Sequence, residues 1–165
     1  MLQLLQSLKI SLLHTGYAKL DTAWNFDNVI SPFTRLCYVT KGSATLYHNN
    51  RTYTLKEGHM YLIPSYVYNT YKCENYHEQF YISFFEEIRP GLSIYNLRSF
   101  RYEVPLKEGD HLFFERLTQM YPKRKIVNSD PKAYSHKPQK LLQFNKDNAQ
   151  MNTHRDLETQ SILTI

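Results

Sequence analysis

Short segments rich in β-branched and aromatic residues follow one another along the chain, separated by turn residues. They are residues 34–40, 43–48, 51–55, 59–63, 69–73 and 79–85, with residues 101–105 as a further candidate. The turns between the first of them contain Gly42, Asn49, Asn50 and Gly58, and Asn and Gly tolerate the positive φ angles of tight turns. Strands of about five residues at spacings of about eight to twelve favour an antiparallel sandwich or barrel over βαβ units.

After residue 105 the pattern becomes helical. Residues 109–121 predict a helix that begins with Asp110 as N-cap and ends at Pro122. Its apolar face consists of Leu112, Phe113, Leu117 and Met120. Residues 139–165 predict a second helix, which reaches the last residue without a stop signal and suggests a piece of a longer protein. The sequence therefore predicts a mainly β fold with C-terminal α structure: a barrel over residues 1–105 and a helical segment over residues 106–165.

Charge and cysteine content narrow the class of protein. Residues 1–120 carry 12 Lys and Arg against 11 Asp and Glu, whereas residues 121–165 carry 8 against 4. The basic excess thus lies in the tail, where a solvated surface is the leading interpretation and contact with phosphate or an acidic partner is the alternative. Cys37 and Cys73 form no Cys-x-x-Cys motif, which favours buried free thiols in a reduced compartment over a disulfide.

The apolar N-terminus does not predict membrane insertion. Residues 1–13 are too few to span a bilayer, they lack the basic region that begins a signal peptide, and Lys9 interrupts them. No later segment approaches the required length. We therefore expect a cytoplasmic protein with no membrane partner.

Several short motifs, in order, carry a resemblance to a known family. They are LHTGYA at 13–18, WNF at 24–26, SPFTR at 31–35, VTKG at 39–42, MYLIP at 60–64, and Asp130, Pro131 and Tyr134. Over residues 13–135 the chain resembles the N-terminal effector-binding domain of AraC-family transcription regulators. The resemblance implies a cupin-type jelly-roll barrel that senses a small molecule, often a sugar or related metabolite, followed by helices that form a homodimer. It also implies a DNA-binding domain after residue 165, outside this chain.

The positions that hold metal in cupin enzymes carry other residues here. In the spacing that the resemblance implies, the glutamate position falls on Arg35 and the last histidine on Asn69. The paired histidines fall on Asn28 and Ile30, or one residue later on Val29 and Ser31. None of these side chains suits such a metal site, and Arg35 would repel a cation. We therefore predict no metal and no other cofactor.

The same positions suggest an organic ligand instead. An inward Arg35 offers fixed donors for a carboxylate, a phosphate or vicinal hydroxyls, and Asn69 offers both a donor and an acceptor. Aromatic walls would suit a sugar or a ring. The predicted ligand-binding residues are Arg35, Asn69, Tyr71, Tyr61, Tyr47, Phe80, Phe33 and Trp24. The alternatives are that these residues fill the barrel, that Arg35 pairs with Glu78, and that Trp24 and Phe33 plug its end.

The leading hypothesis is a non-enzymatic, ligand-sensing and dimerising domain that controls DNA binding. Its predicted dimer interface consists of Leu112, Leu117, Leu157 and Ile162. One alternative is a cupin-type enzyme that acts on a small sugar or aromatic acid, and another is an interaction domain with a filled barrel. The sequence does not identify the effector, the target DNA, or whether the protein activates or represses.

Overall fold

The computed structural model describes residues 2–134. Eight strands and two α-helices form most of this part of the chain. In chain order they are α1 (Leu2–Gln6), β1 (Lys9–Asp21), β2 (Asn25–Val29), β3 (Thr34–His48), β4 (Arg51–Lys56), β5 (His59–Ile63), β6 (Asn69–Lys72), β7 (Tyr76–Glu87), β8 (Glu103–Pro105) and α2 (Asp110–Met120). Short 3₁₀ turns occupy Ile94–Asn96, Pro122–Arg124 and Pro131–Tyr134. The described fold is therefore mainly β, as the strand pattern predicts.

The long strand β3 belongs to two antiparallel sheets. Its first part, Thr34 to Gly42, pairs with β7 and its start also pairs with β5, while β1 and β8 extend that sheet on either side. Its second part, Ser43 to His48, pairs with β4 and β6, and β2 continues the second sheet from β6. The register of β3 against β7 shifts between Val39 and Lys41. Such an irregularity lets one strand pass from one sheet into the other.

Two hydrophobic clusters lie on different faces of this framework. The inner cluster collects buried residues of both sheets: Leu20, Trp24, Val29, Val39, Ala44, Leu46, Leu55, Tyr61, Ile63, Tyr71 and Cys73. The outer cluster lies where α2 packs against β1 and β7, and Leu12, Ile82, Phe84, Phe114 and Leu117 belong to it. The first sheet is therefore buried on both faces in this region, which explains the nearly continuous apolar run of β7.

The predicted face of α2 differs from the one that the structure buries. Phe114 and Leu117 are 0% and 1% exposed, whereas Leu112 is 57% exposed and Met120 is 41% exposed. Asp110 is the first helical residue, and Gly109 takes the N-cap position in a left-handed conformation. Leu117 is therefore a core residue, and its prediction as part of a dimer interface is wrong. Leu157 and Ile162, together with the second predicted helix, lie outside the described residues.

The strands also extend beyond their predicted limits. The segments 34–40 and 43–48 are one strand, because Gly42 adopts a positive φ of 69° within β3 instead of ending it. The sequence pattern did not distinguish β1 and β2 as two strands, because apolar and polar residues alternate only weakly along β1. The boundary at residue 105 stays a prediction, although α2 packs on the same cluster as β1 and β7. No helix in the described range is long and apolar enough to cross a membrane.

Candidate ligand-binding site

A cavity of about 60 Å³ lies between the two sheets. Its walls come from both sheets, from the loops that carry Trp24 and Phe33, and from a late segment of the chain. The lining residues are His14, Ala18, Leu20, Trp24, Phe33, Arg35, Cys37, Leu55, Ile63, Tyr71, Gln79, Tyr81, Ser83, Ile126, Asn128, Ser129, Asp130, Pro131 and Tyr134. Most of the wall is apolar or aromatic, with few polar groups, which is the usual composition of a small-molecule site.

Strand register decides which side chains reach the cavity. Ser83 lies opposite Arg35, and Tyr81 lies opposite Cys37 in the β3–β7 pairing. Residues directly opposite one another in an antiparallel pair share a face, so the odd-numbered residues of β7 point to the same side as Arg35. On β1 the register shifts between Leu12 and His14, and Leu12 faces the outer cluster whereas His14 lines the cavity. This β-bulge is the feature that directs His14 inward.

Arg35 is the only guanidinium that lines the cavity within the described residues. One terminal nitrogen, Nη1, donates to the Tyr71 hydroxyl at 3.4 Å, and the other, Nη2, donates to the Pro131 carbonyl at 3.4 Å. The guanidinium carbon lies 4.9 Å from the centre of the Phe33 ring, in a cation–π arrangement. No carboxylate oxygen of residues 2–134 lies within 4.0 Å of this guanidinium. The cavity thus contains a cation without an ionic partner in the described chain.

Glu78 does not supply that partner. Its carboxylate accepts hydrogen bonds from the Tyr17 and Tyr76 hydroxyls and lies 4.0 Å from the Lys19 ammonium. The alternative in which Arg35 pairs with Glu78 is therefore wrong, because even-numbered positions of β7 lie on the opposite face from Ser83 and Tyr81.

Burial keeps three other titratable side chains of the cavity, His14, Cys37 and Tyr71, in their neutral forms near pH 7. Burial, and then the positive charges of Arg35 and Arg124, lower the pKa of His14 to about 4. Burial raises the pKa of the Cys37 thiol to about 12, despite the opposing effect of Arg35. Burial also raises the pKa of the Tyr71 hydroxyl. A thiol with this pKa is not a nucleophile near pH 7.

Residues 126–134, which we call the strap, cover the cavity. The Ile126 amide donates to the Tyr81 hydroxyl at 2.9 Å, and the Asn128 amide donates to the Tyr134 hydroxyl at 3.0 Å. Tyr81 can lie in this position because residue 16 is glycine: a Cβ there would lie 2.4 Å from the Tyr81 hydroxyl oxygen. The strap is therefore held to the barrel by a β7 side chain and by the Arg35–Pro131 hydrogen bond.

Four of the predicted ligand-binding residues line this cavity. Arg35, Tyr71, Phe33 and Trp24 come together there, and the Trp24 and Tyr71 ring centres are 4.9 Å apart. Trp24 is 8% exposed and Phe33 is 2% exposed, so both are part of the wall. Whether these residues bind a ligand stays a prediction.

The other four predicted residues lie elsewhere. Phe80 packs in the outer cluster and stacks on Tyr38 at 6.0 Å, so its assignment to the interior is wrong by one strand position. Tyr61 is fully buried in the inner cluster, where its hydroxyl donates to the Thr54 carbonyl at 2.6 Å. Tyr47 is 43% exposed on β3.

Asn69 belongs to a separate surface depression that Tyr47 also lines. Its side-chain oxygen lies 2.8 Å from Nδ1 of buried His48, and its amide donates to the Val67 carbonyl at 2.8 Å. The contact with His48 joins β6 to β3, and Asn69 does not line the cavity.

Sequence reasoning missed His14, Gln79, Tyr81, Ser83 and the strap. The register of residues 34–40 against 79–85 would have found the β7 residues, because Arg35 and Ser83 are opposite one another. Within the described residues, no three His, Cys, Asp or Glu side chains come together as a set of metal ligands.

Two antiparallel sheets enclose a cavity that, within the described residues, is lined by aromatic rings and one guanidinium. Residues 12–84 match the family model of the AraC-like ligand binding domain. This match confirms, over residues 12–84, the resemblance drawn from the motifs. No curated protein matches the chain in sequence.

Solved structures give weaker similarities. The EutQ protein of Clostridium difficile is 15% identical, over 47% of this chain and 67% of that one, with a TM-score of 0.38. A cupin-2 domain containing protein from Shewanella frigidimarina is 19% identical, over 41% and 66%, with a TM-score of 0.37. A salicylate 1,2-dioxygenase from Pseudaminobacter salicylatoxidans is 16% identical, over 48% and 25%, with a TM-score of 0.39. Values this low carry no argument about the ligand or activity of this chain.

Proposed function

We propose that this chain is the ligand-sensing and dimerising part of an AraC-family transcription regulator. Its two-sheet fold is interpreted as a cupin-type jelly roll, and the effector is a small metabolite bound between the sheets. Sugars and related compounds are the class that the family implies. The family also implies control of a DNA-binding domain outside this chain and a cytoplasmic location. The family match over residues 12–84 and the lined cavity support this proposal.

The observation that carries the proposal is the hydrogen bond between Arg35 and the strap. A ligand that takes the donors of Arg35 competes with the Pro131 carbonyl. The strap immediately precedes residue 135 in the chain, and the proposed signal is a change in the position of the strap. A ligand shifts an equilibrium only through its different affinity for the two states, and couplings of about 1–3 kcal/mol are usual for such switches.

A homodimer would use the exposed apolar side chains of α2. Leu112 is the remaining predicted interface residue that the structure leaves accessible, at 57% exposure. Leu112→Asp should then give a monomer in sedimentation velocity, with the far-UV circular dichroism of the parent. Leu117→Asp instead introduces a charge into the core and should unfold the protein. An unchanged dimer in the Leu112 variant, or a parent protein that is already monomeric, would refute this interface.

Thermal unfolding of the full chain tests the sensing function. The panel contains sugars, sugar acids and small organic acids, all with chelator present. A ligand at one hundred times its dissociation constant adds about 2.7 kcal/mol of stability, and for a domain of this size the melting temperature rises by several degrees. The Arg35→Ala variant should lose the response, and Arg51→Ala, at an exposed arginine on β4, should retain it.

Two results would contradict the sensing function. A response that depends on added metal and disappears with chelator would support the cupin-enzyme alternative. A parent protein that responds to no compound, with or without metal, would support a filled domain without an effector.

A further inference from the structure

The guanidinium of Arg35 has capacity that the described chain does not use. A guanidinium carries five N–H donors in a planar fork. Within residues 2–134 it makes two hydrogen bonds, both at 3.4 Å, to a tyrosine hydroxyl and a backbone carbonyl. These distances are well above the usual 2.9–3.0 Å of N–H···O bonds. Two long contacts to neutral oxygens are weak compensation for a half-buried charge.

The electrostatics of the cavity favour an anion. Burial lowers the pKa of His14 most, and the nearby positive charges of Arg35 and Arg124 lower it as well. Asp130 also lines the cavity, but its Oδ1 accepts a hydrogen bond from the Lys132 amide at 2.8 Å and its carboxylate forms no ion pair with Arg35. A ligand carboxylate could bind the guanidinium through two parallel bonds, which is the strongest arrangement open to this side chain.

The volume of the cavity limits the size of that anion. One water needs about 10–15 Å³ by the same kind of measure, so about 60 Å³ corresponds to roughly four to six non-hydrogen atoms. By comparison, an engineered cavity of about 150 Å³ binds benzene. With the strap in the observed position, the enclosed volume therefore favours a carboxylate with two to four carbons over an aromatic acid or a sugar ring.

The wall around Arg35 matches such a molecule. Leu20, Leu55, Ile63 and Trp24 are buried and line the cavity. They provide van der Waals contact for a short alkyl chain.

We propose that the effector of this domain is a short-chain monocarboxylate of about two to four carbons, with its carboxylate on Arg35 and its alkyl end against the apolar wall. This inference rests on the proposed sensing function and narrows its ligand class. The carboxylate replaces the Pro131 carbonyl at Nη2, so ligand binding and the closed position of the strap compete for the same donor.

Isothermal titration calorimetry on the full chain tests this proposal, at constant ionic strength. The series contains acetate, propionate and butyrate, with propionamide as the neutral match of propionate, and benzoate and arabinose as larger compounds. Five non-hydrogen atoms at the upper limit of ligand efficiency allow a dissociation constant no tighter than roughly micromolar. We expect propionate to bind at least about tenfold more tightly than propionamide, since the amide lacks the charge.

Variants separate Arg35 from general electrostatics. Arg35→Gln should weaken propionate at least about tenfold, and Arg35→Lys should weaken it less because charge is kept while the fork is lost. Arg51→Gln, a matched change of an exposed arginine, should bind as the parent does. If Arg35→Gln does not fold, Arg35→Lys and the comparison of propionate with propionamide still decide the question.

Each result has a defined meaning. Equal affinity for propionate and propionamide would overturn the proposal, and so would tighter binding of benzoate than of butyrate. The proposal would also be overturned if no carboxylate bound at concentrations from 50-fold that of the protein up to the millimolar range. Binding of arabinose alone would overturn the carboxylate assignment and leave the sensing function intact. If no compound of this series binds and no compound of the wider metabolite panel does, both the carboxylate assignment and the sensing function are overturned.

Discussion

The neutral imidazole of His14 makes the stability of the protein depend on pH in a defined way. The β1 bulge directs His14 into the cavity, where burial and the charges of Arg35 and Arg124 lower its pKa from 6.5 to about 4. Between these two values the unfolded chain binds a proton that the folded chain does not. The folded state is therefore at full stability above pH 6.5, loses stability as the pH falls toward 4, and loses no more from this group below that.

The size of this loss follows from the two pKa values. Linkage with 6.5 for the unfolded and about 4 for the folded state gives a loss of about 2–3 kcal/mol between pH 7.5 and pH 4.5. Urea denaturation at these two pH values measures it, because urea adds no ionic strength. His48 and His77 also have pKa values lowered by burial, so the parent protein loses more than this in total. The difference between the parent and His14→Gln isolates the contribution of His14.

The control changes the same residue type on the surface. His111→Gln alters an exposed histidine of α2 and should follow the parent at both pH values. The reasoning is refuted if His14→Gln and the parent lose the same free energy of unfolding between pH 7.5 and 4.5. A smaller loss in the variant by about 2 kcal/mol or more supports a buried, neutral His14.

Five further variants test the packing, the glycines with positive φ and the strap, by urea denaturation or hydrogen exchange. Phe114→Ala should lower the free energy of unfolding by about 3–5 kcal/mol because the ring is fully buried. Leu112→Ala on the same helix should lower it by less than about 0.5 kcal/mol. Equal losses in the two variants would refute the assignment of the buried face. Gly58→Ala, with φ +74° and open space around it, should cost about 1–2 kcal/mol, while Gly42→Ala should cost more because its Cβ would lie 2.1 Å from the Tyr76 carbonyl oxygen. Tyr81→Phe removes the acceptor of the Ile126 amide and should speed exchange of that amide by up to about tenfold; unchanged exchange would show that this bond does not hold the strap.

Much of the fold follows from local signals in the sequence. The Asn49-Asn50 turn lies between β3 and β4 with φ angles of 50° and 59°, as the tolerance of Asn for positive φ predicts. The strand at 59–63 also has its predicted bounds. The continuity of β3 could not be predicted. A glycine with positive φ, such as Gly42, fits a turn that reverses the chain and equally fits a strand that passes from one sheet to the other. The buried face of α2 was missed for a related reason: Phe113 and Phe114 are adjacent, and only tertiary contact decides which one faces the core.

The sequence could predict cavity residues only where the alternation of side chains along a single strand was enough to decide their facing. Alternation of side chains along β3 places Arg35 and Cys37 on the same face, and alternation along β6 sets the face of Tyr71. All three residues line the cavity. The facing of β7 depends on its pairing with β3, and a shift of one residue exchanges the two faces. An error of one residue in the facing of β7 explains why Phe80, and not Tyr81, was predicted to face the interior. The strap has no periodicity, so neither its position over the cavity nor the Arg35–Pro131 contact was accessible from residue patterns.

The lengths of the bonds at Arg35 bear on how the proposed sensor would work. A strap held by a short, charge-assisted bond would resist displacement, and a strap without any bond to the cavity would not respond to it. The observed contact at 3.4 Å lies between these limits. A carboxylate on the same guanidinium forms bonds of about 2.7–2.9 Å that are roughly twice as strong as neutral ones. The exchange of Pro131 for ligand is then favourable by an amount on the order of 1–3 kcal/mol. That is enough to shift the strap from mostly closed to mostly open when the two positions are otherwise nearly balanced.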